Sequence, residues 1–282
     1  MVGSLVALIT AVAVLLLLSL GLAVVFGMRR IINLAHGEFV MLGAYTALEL
    51  TRQGVPFALT VPVAALALGA FGAALERVLI RRLYDRLVDC MLATWGLGLI
   101  LIQAVTLAFG TTTTGLRIPL GSVTLGGDAI AIYDLVIVAL AALTLVATVA
   151  LLVGTRLGLL MRATARSRSM AEALGVDTAR MDMLTFALGA ALAGLAGATL
   201  APFLGIAPTM GQGFIAEAFM TVIVGGATFL VGVPVAAGVL GGVENGLSTT
   251  LSPVMGQVGL LLAAILIVRV RPGGLTREIR GE

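Results

Sequence analysis

The sequence predicts an all-α fold, a polytopic bundle of transmembrane helices, from its composition and the spacing of its charges. Of the 282 residues, 60% are hydrophobic and 11% are charged, and the mean hydropathy is +1.16. Soluble domains carry about 25% charged residues. The charges here lie in short clusters between apolar runs of roughly twenty residues, the length of helix that crosses the hydrocarbon core of a bilayer. These properties exclude a soluble enzyme, a nucleic-acid-binding domain and a disordered chain.

Nine apolar runs along the chain predict eight or nine spans within a single transmembrane domain, residues 1–282. The runs cover residues 4–26, 37–50, 56–75, 90–109, 131–154, 183–204, 214–230, 232–249 and 254–270. Three of them, 37–50, 214–230 and 232–249, are short and rich in glycine, as is typical of tilted, broken or re-entrant helices. The first run is interpreted as a retained helix, because its basic residues follow it, whereas a cleaved signal carries them in front.

The arginines predict the orientation of these spans. All 17 basic residues are arginine, and most lie in 76–89, in 155–182 and in the tail from Arg269 onward. The long loop 110–130 holds only Arg117. By the positive-inside rule, the three arginine-rich segments are cytoplasmic and the 110–130 loop is outside. Arg29 and Arg30 are then also inside, and with nine spans the N-terminus is outside.

The side chains that most catalytic and metal sites require are scarce. Without lysine the chain can form neither a P-loop nor a Schiff base. Cys90 is the single cysteine, which excludes an internal disulfide, and His36 is the single histidine, which leaves no Cys/His cluster for a metal. We therefore expect a chain with no catalytic residues, no metal ion and no cofactor of its own.

One cluster of polar residues stands where an apolar span begins. Asn33, His36 and Glu38 lie within six residues, and Gly37 lies among them. Ionisable residues inside a membrane are costly and indicate function by default. The cluster predicts a break at the mouth of a helix, which either lines a substrate pathway or fixes the entry of the helix by hydrogen bonds.

Two further acids fall within apolar runs near the C-terminus. Glu217 follows a stretch rich in Pro and Gly, so it either caps a helix N-terminus, where the macrodipole favours an acid, or lines a pathway together with Gln212. Glu244, beside Asn245, is interpreted as a structural residue near the membrane interface.

Small residues repeat at four-residue spacing in the 183–204 run. Two such rows are Gly189, Ala193 and Gly197, and Ala190, Gly194 and Ala198. Rows of this kind let a neighbouring helix approach closely. The glycines of 225–242 predict a second close-packed interface.

The 155–182 segment is the most informative extramembrane piece. It holds five arginines and three acids, with apolar residues between them. Residues 171–175 predict a short helix that ends at a glycine C-cap, Gly175. The segment either lies on anionic lipid through its arginines or docks a cytoplasmic protein, and composition does not separate these alternatives.

Two stretches, taken together, resemble the branched-chain amino-acid ABC transporter permeases of the LivH type. The first is NLAHGE at 33–38 with MLGAY at 41–45. The second is MRA at 161–163, MAEALGVD at 170–177 and LTFALGA at 184–190. A weaker third match is Gly225-Gly226 with Gly232 and Pro234.

The resemblance implies one half of the pore of an ABC importer in the bacterial inner membrane, with membrane lipid around it and no nucleic acid. The implied partners are a second, LivM-like permease, two ATPase subunits that hold ATP and Mg, and a periplasmic substrate-binding protein. It also implies a cytoplasmic coupling helix at about 160–175, between spans 5 and 6. Residues assigned to coupling are Arg162, Arg166, Glu172, Ala173 and Gly175. Residues assigned to the substrate pathway are Asn33, His36, Glu38, Tyr45, Gln212 and Glu217.

The cargo implied by this resemblance is a branched-chain or other hydrophobic amino acid. However, GIAPTMGQ at 205–212 and EAFMTVIVGG at 217–226 are also similar to the related urea and short-chain amide permeases. A different class, the secondary transporter driven by an ion gradient, uses broken helices with ionisable residues at midplane, and Glu38 partly fits it.

Overall fold

A computed structural model describes residues 2–29, 31–84, 86–118, 120–125, 127–226 and 229–276. Arg30, Arg277 and Arg280 of the predicted cytoplasmic set lie outside these residues. The described helices are α1 Val2–Arg29, α2 His36–Arg52, α3 Phe57–Val78, α4 Leu87–Phe109, α5 Ile132–Gly154, α6 Arg156–Arg166, α7 Arg168–Ala173, α8 Thr178–Leu200, α9 Met210–Gly225, α10 Phe229–Thr250 and α11 Pro253–Val270. A 3₁₀ turn, Ile80–Arg82, follows α3.

The nine predicted apolar runs coincide with nine of these helices. Seven of them, α1, α3, α4, α5, α8, α10 and α11, are long and apolar enough to cross a membrane. Leucines on α3, α4 and α5 face outward, as lipid-exposed residues do: Leu66 is 75% exposed, Leu107 86% and Leu143 63%. The protein is a multi-pass helical membrane protein. The helices α2 and α9 have 17 and 16 residues, and their crossing of the membrane stays a prediction.

The loop at 110–130 contains strands, so the all-α prediction is wrong there. Strand β1, Ser122–Leu125, pairs antiparallel with β2, Asp128–Ala131. Val123 stands opposite Ile130, and Gly127 takes a positive φ of 90° in the turn between the strands. The backbone N–H of Gly3 donates to Asp128 Oδ2 at 2.8 Å, and this bond lowers the pKa of the Asp128 carboxyl.

The chain divides into two compact units. The first comprises Met1–Ser19, Arg117–Leu143 and Ala216–Glu282, and the second comprises Leu20–Leu116 and Thr144–Ile215. A single domain over the whole chain stays a prediction.

In the second unit, α8 packs against α2 and α3 through its small residues. A Cβ on Gly197 would collide with the Val40 carbonyl oxygen of α2, and one on Gly194 would lie 2.7 Å from the Leu68 Cβ of α3. Phe39 of α2 is 1% exposed, and its ring lies edge-on to that of Phe186 of α8, 6.2 Å between centroids. The predicted rows of small residues on α8 therefore form a helix interface.

In the first unit, glycines bring the break between α9 and α10 against the C-terminal segment. Gly226 has a φ of 79°, which favours glycine, and a Cβ there would lie 3.0 Å from the Cα of Gly274. The Leu275 N–H donates to the Val224 carbonyl at 2.8 Å, and the Thr276 hydroxyl donates to the Gly225 carbonyl at 2.7 Å. Close packing thus holds for this part of the glycine-rich segment, whereas Gly238 faces open space.

Candidate functional site

The predicted break lies between α1 and α2. Residues 31–35 are not helical, and α2 begins at His36. Asn33 closes the turn, since its Oδ1 accepts from the Ala35 N–H at 3.1 Å. The Thr94 hydroxyl of α4 accepts from the Leu34 N–H at 3.2 Å. Asn33 and His36 are each only 2% exposed, so the polar cluster is buried inside protein, as a break at membrane depth requires.

Glu38, in the first turn of α2, is the buried acid of this cluster. Its side chain is 5% exposed, and its Oε2 has no hydrogen-bond partner among the described residues. The carboxyl carbon points at α4, where an added Cβ on Gly98 would lie 3.2 Å from it. Glu38 therefore fits between α2 and α4 because position 98 carries no side chain. No local pattern in the sequence points to Gly98 or Thr94, since their partners Glu38 and Leu34 are 60 residues away in the chain.

The first turns of α2 and α9 cross in backbone contact. A Cβ on Gly37 would collide with the Gly211 carbonyl oxygen, and one on Gly211 would lie 2.8 Å from the Glu38 nitrogen. Gln212 follows Gly211 and is exposed. The crossing therefore brings Gln212 to the same end of α2 as His36 and Glu38, and their role in a pathway stays a prediction.

Tyr45 has the surroundings of a core residue. It is 4% exposed and belongs to a buried apolar cluster with Val105, Leu116 and Ile206. Its ring lies 4.8 Å from that of Phe109, centroid to centroid. Nothing in these contacts singles out the hydroxyl for a ligand.

Glu217 belongs to the other unit and is not a helix cap. The helix α9 begins at Met210, seven residues earlier, so the capping alternative is wrong. The side chain is 8% exposed. Gln257 of α11 and Glu244 of α10 are close enough to interact with it electrostatically. Among the described residues no group of three His, Cys, Asp or Glu side chains is arranged to hold a metal ion.

The arginine-rich segment 155–182 forms two helices rather than one. Ser167 has an extended backbone, with φ −154° and ψ 103°, and separates α6 from α7. Its hydroxyl accepts from the Met170 N–H at 3.4 Å and so caps α7, as Thr155 caps α6 by accepting from Gly158 at 3.0 Å. The first backbone N–H groups of a helix have no carbonyl partner within that helix. A serine hydroxyl at the N-cap accepts a hydrogen bond from one of them and so stabilises a new helix start at this position. The prediction of one helix over 160–175 is therefore wrong.

Gly175 ends α7 as predicted. Its φ is 81°, its N–H donates to the Glu172 carbonyl at 2.9 Å, and the Val176 N–H donates to the Ala171 carbonyl at 3.0 Å. This pair of bonds is a Schellman motif, in which a residue with positive φ closes the helix.

The short helix α7 presents an apolar face to its surroundings. Met170 and Leu174, four residues apart, are 62% and 78% exposed. Of the residues assigned to coupling, Arg166, Glu172, Ala173 and Gly175 are exposed and Arg162 is partly buried. Glu172, Ala173 and Gly175 thus lie next to this exposed apolar pair in the chain, and Arg162 and Arg166 lie on the preceding helix α6.

On its other side, α7 is held by charges that converge on the first turns of α8. Asp182 is 2% exposed, and its Oδ2 accepts from Arg168 Nη1 at 2.9 Å and is ion-paired with Arg29. Arg168 Nε also donates to Glu172 Oε1 at 3.0 Å, to which the Thr178 hydroxyl donates at 2.7 Å. The Thr178 hydroxyl and Arg168 lower the pKa of the Glu172 carboxyl, which keeps it charged at neutral pH.

A second buried carboxylate, Glu76 at the end of α3, lies beside this group. It is 0% exposed, and it accepts from the Tyr84 hydroxyl at 2.8 Å and from Arg81 Nη2 at 3.1 Å. The guanidinium of Arg29 lies over the Tyr84 ring, 4.4 Å from its centroid. Burial and the charge of Glu76 raise the pKa of Tyr84. The arginines of 76–89 are evident in the sequence, but Glu76 is not predicted as a functional residue, because nothing in the sequence shows that it is buried.

Comparisons with known proteins agree with this architecture. Residues 4–270 match a family model described as branched-chain amino acid transport system / permease component. The high-affinity branched-chain amino acid transport system permease protein LivH of Salmonella typhimurium is 28% identical, with 92% of this chain and 90% of the relative covered. The corresponding protein BraD of Pseudomonas aeruginosa is also 28% identical, with the same coverage. A probable LivH of Methanocaldococcus jannaschii is 27% identical over 93% of this chain and 88% of its own length. No solved structure matches the chain.

Proposed function

The chain belongs to the branched-chain amino acid transport system permease family and is a permease subunit, and we propose that it forms one half of the pore of an ATP-driven importer. The importer moves branched-chain or other hydrophobic amino acids across the bacterial inner membrane. The relatives named above are branched-chain amino acid permeases, which supports this cargo over urea or short amides.

The observation that carries the proposal is an exposed apolar pair, Met170 on α7 and Leu174 at the C-cap of α7. Both lie in the arginine-rich segment that the positive-inside rule assigns to the cytoplasm. Exposed apolar patches rimmed by polar residues mark interaction sites. The caps at Ser167 and Gly175 define both ends of α7 and so hold this patch in one shape. In this proposal a soluble ATPase subunit binds the pair through an apolar groove. The residues assigned to coupling lie next to the pair in the chain (Glu172, Ala173 and Gly175) or on the preceding helix α6 (Arg162 and Arg166).

In this proposal the chain supplies the pathway and its partners supply the energy. Two ATPase subunits bind ATP and Mg, a second LivM-like permease completes the pore, and a periplasmic binding protein delivers the cargo. Alternating access requires two packings of similar energy that a partner can bias. The closely packed small residues of α8, together with the broken entry to α2, support such a rearrangement.

Co-purification from gently solubilised native membranes tests this assembly. We expect a tagged chain to retain an ATPase and a second permease of the same family. Uptake by the purified complex in vesicles with internal ATP should then favour leucine over urea when each is supplied with the associated binding protein. A homo-oligomer without an ATPase in two different detergents, with uptake that an uncoupler abolishes, would contradict the proposal and favour an ion-gradient-driven transporter.

The contact between Glu38 and Gly98 provides a test of the pathway assignment. Gly98→Val places a branched side chain where the carboxyl group lies, and overpacking of this kind costs about 1–3 kcal/mol. If that cost falls on the transport-competent state, uptake drops by about tenfold, since 1.4 kcal/mol is a factor of ten. The measurement is the initial rate of uptake at equal amounts of assembled complex.

The matched control is Gly96→Val on the same helix, where an added Cβ meets open space. Its uptake should equal that of the unmodified protein. Equal uptake by Gly98→Val and Gly96→Val would show that the environment of Glu38 has no part in transport.

A further inference from the structure

Asp182 is the point at which the end of α1, the start of α7 and the first turns of α8, all in the second unit, are joined by charge. It lies on α8, it is 2% exposed, and its carboxylate holds Arg29 from the end of α1 and Arg168 from the start of α7. Arg168 contacts Asp182 at 2.9 Å through Nη1 and Glu172 at 3.0 Å through Nε. The guanidinium thus bridges a buried carboxylate and an exposed one.

The contacts continue from Arg29 to the end of α3. Arg29 lies over the Tyr84 ring, and the Tyr84 hydroxyl donates to Glu76 at 2.8 Å. Arg81, which also donates to Glu76, reaches the Ala179 carbonyl in the first turn of α8 at 3.3 Å through Nη2. The ends of α1, α3 and α8 are therefore linked through side chains, and α7 enters this group through Arg168.

Burial makes the bonds at Asp182 different from ordinary surface ion pairs. Exposed pairs such as Arg86 with Asp89, whose side chains are 73% and 50% exposed, are screened by water and salt and contribute little. The attraction at a carboxylate that is 2% exposed is screened much less, and removing every partner of such a buried charge strongly destabilises the fold. Ser169 and Met170 of α7 are exposed. Among the described residues, the side-chain bonds from α7 to α8 are that of Arg168 with Asp182 and that of Glu172 with Thr178, and Arg168 holds both carboxylates.

We propose that Asp182, through Arg168, is the positioning residue that passes a displacement of α7 to α1 and α8. The inference rests on the proposed function, in which a partner moves the exposed face of α7. A merely structural role would leave the stoichiometry of transport unchanged, whereas a transmitting role sets how much cargo moves for each ATP hydrolysed.

Arg168→Gln is the informative variant. Arg168 is 46% exposed, and its loss leaves Asp182 paired with Arg29, so no buried charge is stranded. We expect the complex to assemble and to hydrolyse ATP, while the cargo taken up per ATP falls by about tenfold, within the range typical of coupling between two sites. Arg168→Lys should restore part of the ratio, because a point charge can hold either carboxylate but not both in the forked geometry of Arg168.

The matched control is Arg180→Gln, which removes one arginine charge from the same region. Arg180 is exposed, and its backbone N–H, rather than its side chain, bonds Asp177 at 3.0 Å. The readout is the ratio of leucine uptake to phosphate release in vesicles that contain the purified complex, and the control should keep the ratio of the unmodified protein.

The outcomes separate this inference from the function on which it rests. An unchanged ratio in an assembled Arg168→Gln complex overturns the inference and leaves the proposed function standing. Loss of the ATPase from the Arg168→Gln complex alone also overturns it, because Arg168 would then be a docking residue. Absence of an ATPase from the unmodified protein refutes the proposed function itself.

Discussion

Gly197→Ala is expected to destabilise the protein by about 3 kcal/mol or more, at the upper end of the cost of overpacking. A Cβ at this position would collide with the Val40 carbonyl oxygen and lie 2.9 Å from the Ala44 nitrogen. Both obstacles are backbone atoms of α2, so no side-chain rotation can make room. The two helices must separate, and α2 loses its contact with the small residues of α8.

Thermal unfolding in detergent, followed by the fluorescence of Trp95, measures this effect. A loss of 3 kcal/mol corresponds to a fall in Tm on the order of 6–12 °C. Gly96→Ala is the matched control, since its Cβ meets open space on α4, and it should keep the Tm of the unmodified protein. Equal Tm values for the two variants would mean that α2 and α8 do not pack as closely as the structure has them.

The sequence predicts the helices well, because length and apolarity are properties of a local stretch. Each of the nine apolar runs became a helix whose ends lie within a few residues of the prediction. The close-packed face of α8 is predicted equally well, since four-residue spacing alone places its small residues on one face of the helix. Gly175 was predicted for a similar reason, because a glycine after a short helical pattern indicates a C-cap.

Contacts between distant residues could not be predicted in this way. Glu38 was identified as a buried acid, but its neighbour Gly98 lies on another helix and only the fold brings them together. Glu76 and Asp182 likewise lie in arginine-rich segments of the sequence, whose charge predicts that they are exposed to water. Their burial is decided by how α1, α3 and α8 end near one another.

Local competition explains two further errors. Ser167 sits within a sequence that is otherwise compatible with a continuous helix, and its capping bond decides in favour of a break. The sequence does not reveal the β1–β2 ribbon, because each strand has only four residues and the long 110–130 loop is flanked by long helical runs. In both cases a few hydrogen bonds outweighed the average tendency of the surrounding residues.

Gly175→Pro is expected to abolish transport without preventing insertion of the protein into the membrane. Gly175 has a φ of 81°, and proline is fixed near −65°. Proline also lacks the N–H that bonds the Glu172 carbonyl at 2.9 Å. The combined cost is about 3 kcal/mol or more. Because Gly175 lies outside the membrane spans, insertion is unaffected. The end of α7 unwinds, and Met170 and Leu174 lose their positions relative to each other.

Two variants show whether this loss is specific to α7. Gly175→Asn retains a residue that tolerates positive φ and keeps the N–H, so it should retain uptake and the ATPase. Gly121→Pro introduces the same strain at another glycine of positive φ, 71°, in the loop before β1, and it should spare ATPase binding. Co-purification and uptake are measured for all three, with membrane fractionation as the measure of insertion. Because the two prolines impose similar backbone strain, retention of the ATPase by Gly175→Pro would show that the geometry of α7 is not what the partner recognises.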